Sequence, residues 1–323
     1  HKPIARQRGY FIKGKFDQFQ RNIPFSALVG AFRDLMGQLL GESDSQLEKW
    51  KTRILDALGE NAQVIIEVIP ELERIIGKQP PAAELSGSAA QNRFNRLFLQ
   101  FIRVFTTVEH PLVIFVDDLQ WADLASLKLM ELLMGDSETG YLLLLGAYRD
   151  NEVFPAHPLM LTLDEIVKSG ATLNTITLEP LSKRELNRLV ADTLSCELEL
   201  ALPFRELVYQ KTKGNPFFAT QFLNGLHEDG WIEFNADVGH WECDMSGVRE
   251  LALSDDVVEF MAVRLHKLPD ETRSLLKLAA CIGDRFDLET LAIVSEVSPE
   301  ETASYLWFAL KEGLILPLSE TYK

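Results

Sequence analysis

Cysteine is scarce. Only three occur in 323 residues, Cys196, Cys243 and Cys281, and their wide spacing suits neither a disulfide framework nor a thiolate metal site, so a reducing compartment is expected. Long apolar runs are also missing. No stretch approaches the ~20 residues that span a bilayer, and no signal-peptide pattern opens the chain. Positive charge is in deficit, with 32 Lys and Arg against 48 Asp and Glu and a net charge of −16. A surface that acidic repels phosphate backbones and anionic lipids, so neither nucleic acid nor a membrane is an expected partner. These absences describe a soluble, cytoplasmic chain. What is abundant is apolar side chain, 46% of residues, enough to build the cores of two or three domains.

The most informative stretch runs from Pro111 to Asp123, Pro-Leu-Val-Ile-Phe-Val-Asp-Asp-Leu-Gln-Trp-Ala-Asp. Its uncharged, β-branched and aromatic opening reads as a buried parallel strand. Asp117 and Asp118 stand at its carboxyl end, where an α/β sheet places its chemistry. In nucleotide-hydrolysing P-loop proteins the corresponding Walker B strand ends in an Asp that holds the Mg2+ of the bound nucleotide, directly or through water. Asp117 is placed for that role. Asp118, on the other face of the strand end, is placed to orient or deprotonate the attacking water. A buried strand followed by a solvated acidic turn would look the same in isolation.

The neighbouring sequence supplies a frame. Tyr141 to Ala147 is a second uncharged strand, and the helical stretch Ser126 to Met134 separates it from the first, as in a βαβ unit. It ends in Tyr148-Arg149-Asp150-Asn151-Glu152. Arg149 there is equally suited to sense a γ-phosphate or to pair with Asp150 or Glu152.

Four segments occur in order: Phe11-Ile12-Lys13-Gly14-Lys15-Phe16-Asp17-Gln18-Phe19-Gln20-Arg21-Asn22-Ile23-Pro24, then Asp117-Asp118-Leu119-Gln120-Trp121-Ala122-Asp123, then Gly146-Ala147-Tyr148-Arg149-Asp150-Asn151-Glu152, then Gly214-Asn215-Pro216-Phe217-Phe218. The combination resembles the AAA-type ATPase module of the STAND class found in very large bacterial signalling proteins, and the resemblance covers essentially the whole chain. It implies an α/β P-loop NTPase core with a parallel sheet, then a helical lid and a winged-helix-like α domain. It also implies ATP and Mg2+ as ligands, with Pro216 touching the nucleotide base so that the lid senses what is bound. The expected partners are the kinase and sensor domains flanking such a module in the same polypeptide, with self-association a possible further contact.

One element of that family is absent. The phosphate-binding loop, Gly-x-x-x-x-Gly-Lys followed by Ser or Thr, has no match here. The nearest string, Gly9 to Phe16, has the glycine and lysine spacing but places Phe16 where a hydroxyl is needed, and its Tyr10, Phe11 and Ile12 are strand formers. It reads as a strand that would follow the missing loop and helix, with His1-Lys2-Pro3-Ile4 as the tail of that helix. The chain is therefore expected to be a piece that begins after the loop.

Region by region, residues 1–178 are expected to form the core, with a mostly helical insertion over about 25–108. Within it, helical spacing covers Phe25 to Leu40, Ser45 to Leu58, and Val64 to Ile76 with an interruption at Pro70. A Pro, Ala and Ser-rich loop from Gln79 to Ser88 then leads to an amphipathic helix, Ala90 to Val108. After a helix at His157 to Val167, the alternating Thr172 to Leu178 reads as the last sheet strand. Ser182 caps the next helix, and residues 179–253 are expected to form the lid, with Gly214-Asn215-Pro216 as a joint between helices and a hairpin pairing Trp231 to Phe234 with His240 to Cys243. Residues 254–323 read as helices at Asp255 to Lys267, Pro269 to Cys281, Asp287 to Glu296 and Pro299 to Glu312, with a wing-like strand at Leu314 to Leu318. The region Glu300 to Tyr305 is acidic, the opposite of what groove binding requires, so this domain is expected to contact protein.

Two function classes follow. One is an ATP-dependent switch in which Asp117, Asp118 and Arg149 handle the nucleotide and Pro216 reports on it. The other is a scaffold without catalysis, disfavoured by the two acids retained at a strand end.

Overall fold

The computed structural model describes residues 9–19, 23–245, 248, 262, 265–283, 285–311 and 313–317. Two compact units divide the chain, His1–Asn174 and Thr175–Lys323.

The first unit is a parallel α/β core. Strands β1 (Tyr10–Lys15), β2 (Leu112–Asp117) and β3 (Leu142–Gly146) form a sheet in that spatial order, with Lys15 opposite Asp117 and Val116 opposite Gly146. Parallel strands added successively in one direction, each through a right-handed crossover, place their connections on the same face. The burial follows. Tyr10, Ile12, Leu112, Ile114 and Val116 are buried on one face, whereas Leu143 and Leu145 on the other are 51% and 41% exposed.

The connection from β1 to β2 is the long helical insertion. It comprises α1 (Ser26–Leu40), α2 (Asp44–Leu58), α3 (Ala62–Ile66), a 3-10 turn at Pro70–Leu72, α4 (Glu73–Ile76) and α5 (Gly87–Arg103). Helix α1 lies against β1 so closely that a Cβ on Gly14 would meet the Ala27 carbonyl oxygen at 2.1 Å. Its Phe32 packs edge-on to Phe98 of α5. Trp50 of α2 is fully buried, touches Phe105 and His110, and donates its indole N–H to Glu42 at 3.1 Å. The Tyr10 hydroxyl donates to the same carboxylate, so one acid joins the insertion to the sheet. Burial and that acid hold the Tyr10 hydroxyl well above the ordinary tyrosine range.

Helix α5 stops at Arg103 rather than Val108. Past it, Val104, Phe105 and Thr106 donate to carbonyls three residues back, and the Thr106-Thr107-Val108 run is β-branched and crowds a helical turn. Phe105 is nevertheless fully buried.

Helix α6 (Leu124–Met134) joins β2 to β3, and α7 (Pro158–Lys168) follows β3. The strand expected at Thr172 to Leu178 does not form. A strand is stabilised by a hydrogen-bonding neighbour, and none of the described strands pairs with this segment. Ile176 and Leu178 are accordingly 84% and 90% exposed.

The second unit is mainly helical. Helices α8 (Lys183–Leu194), α9 (Leu198–Thr212) and α10 (Pro216–Glu228) precede an antiparallel hairpin, β4 (Ile232–Asn235) with β5 (His240–Cys243). Their core joins Leu186, Val190, Phe204, Val208, Phe222 and Ile232. Helices α11 (Asp270–Ile282), α12 (Leu288–Ser295) and α13 (Pro299–Lys311) share a smaller core of Leu275, Ala279, Leu291 and Leu306. The wing strand expected at Leu314 to Leu318 is not formed over residues 314–317, where the chain bends at Leu314 and Ile315, and Leu318 lies outside the described residues. Of the helix expected at Asp255 to Lys267, only Ala262 and residues 265–267 are described, and they are helical. His1 to Ile4 lie outside the described residues too.

Around the sheet, Arg103 at the end of α5 grips Asp136 through two bonds of 2.6 and 2.7 Å and also reaches Glu138. Burial of the Asp136 carboxyl opposes ionisation, but the bonds from Arg103 and Thr139 outweigh it and hold its pKa below the usual range. A depressed carboxyl contributes stability that is complete above its unfolded pKa of about 3.9 and is lost as pH falls through the folded value. Asp136→Asn should therefore lower stability by about 1–2 kcal/mol at pH 7. In chemical denaturation the gap from wild type should close on acidification below pH ~3.9, and a gap independent of pH would refute the assignment.

Candidate functional site

Asp117 closes β2. It is half-buried, its carbonyl accepts from the Phe16 N–H at 3.1 Å and its Oδ1 accepts from the Asp118 N–H at 3.0 Å. Oδ2 has no partner among the described residues. Asp118 leaves the strand in the left-handed region at φ 53°, a conformation that Asp tolerates better than most residues because its short side chain bonds locally. The turn sends its carboxylate inward, where it is 7% exposed.

Three elements meet that carboxylate. Gln120 donates from Nε2 to Oδ1 at 3.0 Å, Lys15 at the end of β1 brings Nζ to 3.4 Å of Oδ2, and Arg149, just past β3, brings Nε to 3.9 Å of Oδ1. Gln120 is itself 3% exposed, and its Oε1 accepts the Arg149 backbone N–H at 3.3 Å. The Arg149 guanidinium stays largely in solvent. It pairs with Glu152 at 3.0 Å and lies over the Trp121 ring at 5.6 Å, a cation–π contact. Arg149 thus makes the Glu152 pair that the sequence allowed and also faces the strand-end acid.

Asp123 has a different task. Its Oδ1 accepts the Ser126 N–H at 2.8 Å and caps α6, while its Oδ2 accepts the Ser126 hydroxyl at 2.6 Å and the Phe25 N–H at 3.2 Å. Phe25 precedes α1 with φ 64°, an uncommon conformation for an aromatic residue, and its ring stacks at 4.6 Å on Phe94. One carboxylate thereby fixes the starts of two helices beside the strand ends.

In the second unit, Pro216 opens α10 and is exposed. Asn215 caps that helix by accepting from the Phe217 and Phe218 N–H groups at 3.0 and 3.2 Å. Gly214, at φ 82°, packs so tightly that a Cβ would lie 2.3 Å from the Leu181 carbonyl oxygen, and its own carbonyl accepts the Leu181 N–H at 2.8 Å. The joint is therefore pinned to the chain just before α8, whose start is a capping box of Ser182 and Glu185.

Asp117, Asp118 and Arg149 come together as the motifs suggest, whereas Pro216 belongs to the other unit. Lys15 and Gln120 were not singled out from sequence. A signal for Lys15 existed, because matching the ends of the first two strands sets it beside Asp117. Among the described residues no cluster of three or more His, Cys, Asp or Glu could hold a metal ion. A nucleotide-borne Mg2+ needs less, since it keeps waters and phosphate oxygens and takes one or two carboxylates. Asp117, with one oxygen uncommitted, fits that requirement.

Residues 1–145 match the AAA ATPase domain family. Hybrid signal transduction histidine kinase G of Dictyostelium discoideum is 31% identical over 369 aligned positions, covering 95% of this chain and 10% of that protein. The peroxide stress-activated histidine kinase mak2 of Schizosaccharomyces pombe is 22% identical over 98% of this chain and 14% of its own length. The chain thus spans about a tenth of these curated relatives, and both are eukaryotic rather than bacterial. Mutants of Thermotoga maritima RuvB align over 80% of this chain and 78% of theirs at 16% identity, but a TM-score of 0.28 is too low to carry an argument.

Replacing Asp123 with Ala removes a helix cap and strands the Phe25 amide. A loss of about 1–3 kcal/mol is expected, read as a lowered midpoint in urea denaturation. An unchanged midpoint would show that neither helix start depends on this acid.

Proposed function

We propose that this chain is the nucleotide-dependent switch of a multi-domain signalling protein, binding Mg2+ and ATP at the carboxyl end of its parallel sheet and hydrolysing ATP slowly. The phosphate-binding loop pattern has no match within these 323 residues, so the reading requires that loop from other polypeptide. The observation that carries the reading is the pair Asp117 and Asp118 at the end of the central strand, with Lys15 and Arg149 beside the second acid, inside a segment that matches AAA ATPase domains. Among the described residues, the outer edge of β3 and the segment Thr172 to Leu178 pair with no strand and one face of β3 is exposed, which also favours it, because a parallel sheet is stable when covered on both faces.

In this reading Asp117 holds Mg2+ directly or through water, and the ion neutralises charge on the phosphates. Asp118 orients or deprotonates the attacking water. Its Oδ2 faces Lys15 in the present arrangement, so accepting a proton there requires that ion pair to loosen. Arg149, largely exposed and reaching Asp118 only at 3.9 Å, is available to an anionic γ-phosphate. Residues 179–253 act as the lid, with Pro216 its nucleotide-sensing residue, and residues 254–323 act as a protein contact.

The two histidine-kinase relatives support a place beside kinase domains in one polypeptide, and the reading adds sensor domains as further neighbours. Catalytic inactivity is the less favoured reading, since an inert scaffold has no need of Asp117, a second strand-end acid whose Oδ2 has no partner among the described residues.

The test uses the chain joined to the polypeptide that supplies the loop. Asp117→Asn should weaken Mg2+-dependent ATP binding in titration calorimetry, while Asp118→Asn should leave binding nearly intact and slow phosphate release by about 10²-fold or more. If neither substitution changes binding or turnover, the scaffold reading replaces this one.

A further inference from the structure

We propose that Gln120 is a positioning residue that couples Arg149 to Asp118, an inference that rests on the nucleotide-switch reading. The three groups at the Asp118 carboxylate are not equivalent. Lys15 and Arg149 approach at ion-pair distances of 3.4 and 3.9 Å with side chains 31% and 60% exposed, so water screens both and neither fixes a direction. Gln120 is buried, and both ends of its amide are committed, one to the Asp118 side chain and the other to the Arg149 main chain.

The donor and acceptor of an amide lie in one rigid plane. A shift of the Arg149 backbone therefore turns the Gln120 amide and redirects its donor at Asp118. The bond to Asp118 is buried and the bond from Arg149 is partly so, and losing the buried one leaves a polar group unsatisfied, so the two strand ends are tied through this one side chain. The left-handed backbone at Asp118 adds to this dependence, since the carboxylate has already left the strand and the ladder no longer dictates where it points. An anion drawing on the exposed Arg149 guanidinium is thus felt at Asp118 through a single uncharged side chain.

A residue that merely fills space would behave differently from a coupler. Gln120→Met keeps the volume and removes both bonds, whereas Gln120→His retains one donor and one acceptor. In the chain joined to its phosphate loop, Gln120→Met should lower kcat for ATP about 10-fold or more with KM within about 2-fold of wild type, and Gln120→His should recover most of the rate. Arg149→Ala should cost less in the Met background than in wild type, the non-additivity of residues acting as a unit. In the 323-residue chain itself, hydrogen exchange at the Arg149 backbone amide should be faster in Gln120→Met than in wild type or Gln120→His.

Arg149→Ala effects that are equal in both backgrounds would overturn the coupling, as would a Gln120→Met variant altered only in thermal midpoint. A wild type that shows no hydrolysis would defeat the nucleotide reading instead, and Arg149 amide exchange would still decide whether Gln120 joins the two strand ends.

Discussion

A carboxylate held 7% exposed at the end of the central strand is the constraint around which the first unit is arranged. A charge removed from water is costly unless it is paired and hydrogen-bonded. The partners that meet this one come from three places in the sequence: Lys15 closes β1, Gln120 lies in the turn after β2, and Arg149 follows β3. Satisfying Asp118 thus draws all three strand ends to one point. The same point is where an α/β sheet can act on a ligand, so the requirements of folding and of chemistry coincide there.

The helical layer repeats this economy of contacts. Asp123 caps α6 and holds the strained amide of Phe25 before α1, and Glu42 accepts from both Tyr10 and Trp50 at the other end of β1. Two acids therefore register a long insertion against the sheet at its two ends, while Phe32, Phe98 and Phe101 fill the space between. Little of this covers the second face of β3. Leucines there stand half in solvent, a condition that parallel sheets ordinarily avoid.

Similarity to AAA ATPase domains over residues 1–145 and to segments of two histidine kinases stands beside this geometry without replacing it. The relatives are far longer than this chain, so their names describe assemblies of which it corresponds to one segment. What belongs to this chain is a pair of adjacent acids with different surroundings. Asp117 is half-buried with one oxygen uncommitted among the described residues, and Asp118 is enclosed and contacted on both oxygens. Neighbouring carboxylates in unlike environments are the usual basis for dividing metal binding from proton handling.

The sequence by itself determined the strands and most helices of the core, because their signals are local. The uncharged run before Asp117, the break at Pro70, the Ser182 cap and the Gly214-Asn215-Pro216 joint all depend on residues within a turn or two of one another. It also located Asp117, Asp118 and Arg149, which sit where strands visibly end. Three expectations failed where a local pattern needed a distant partner or met local crowding: Thr172 to Leu178 alternates like a strand yet pairs with no strand among the described residues, Leu314 and Ile315 bend where a wing strand was expected, and α5 stops at Arg103 before a β-branched run. Only the tertiary structure decided which distant groups surround Asp118 and what Asp123 holds, since Lys15, Arg149 and Phe25 reach those acids through sheet register and helix packing. Contacts of that kind join residues up to 103 positions apart, and no periodicity along the chain encodes them.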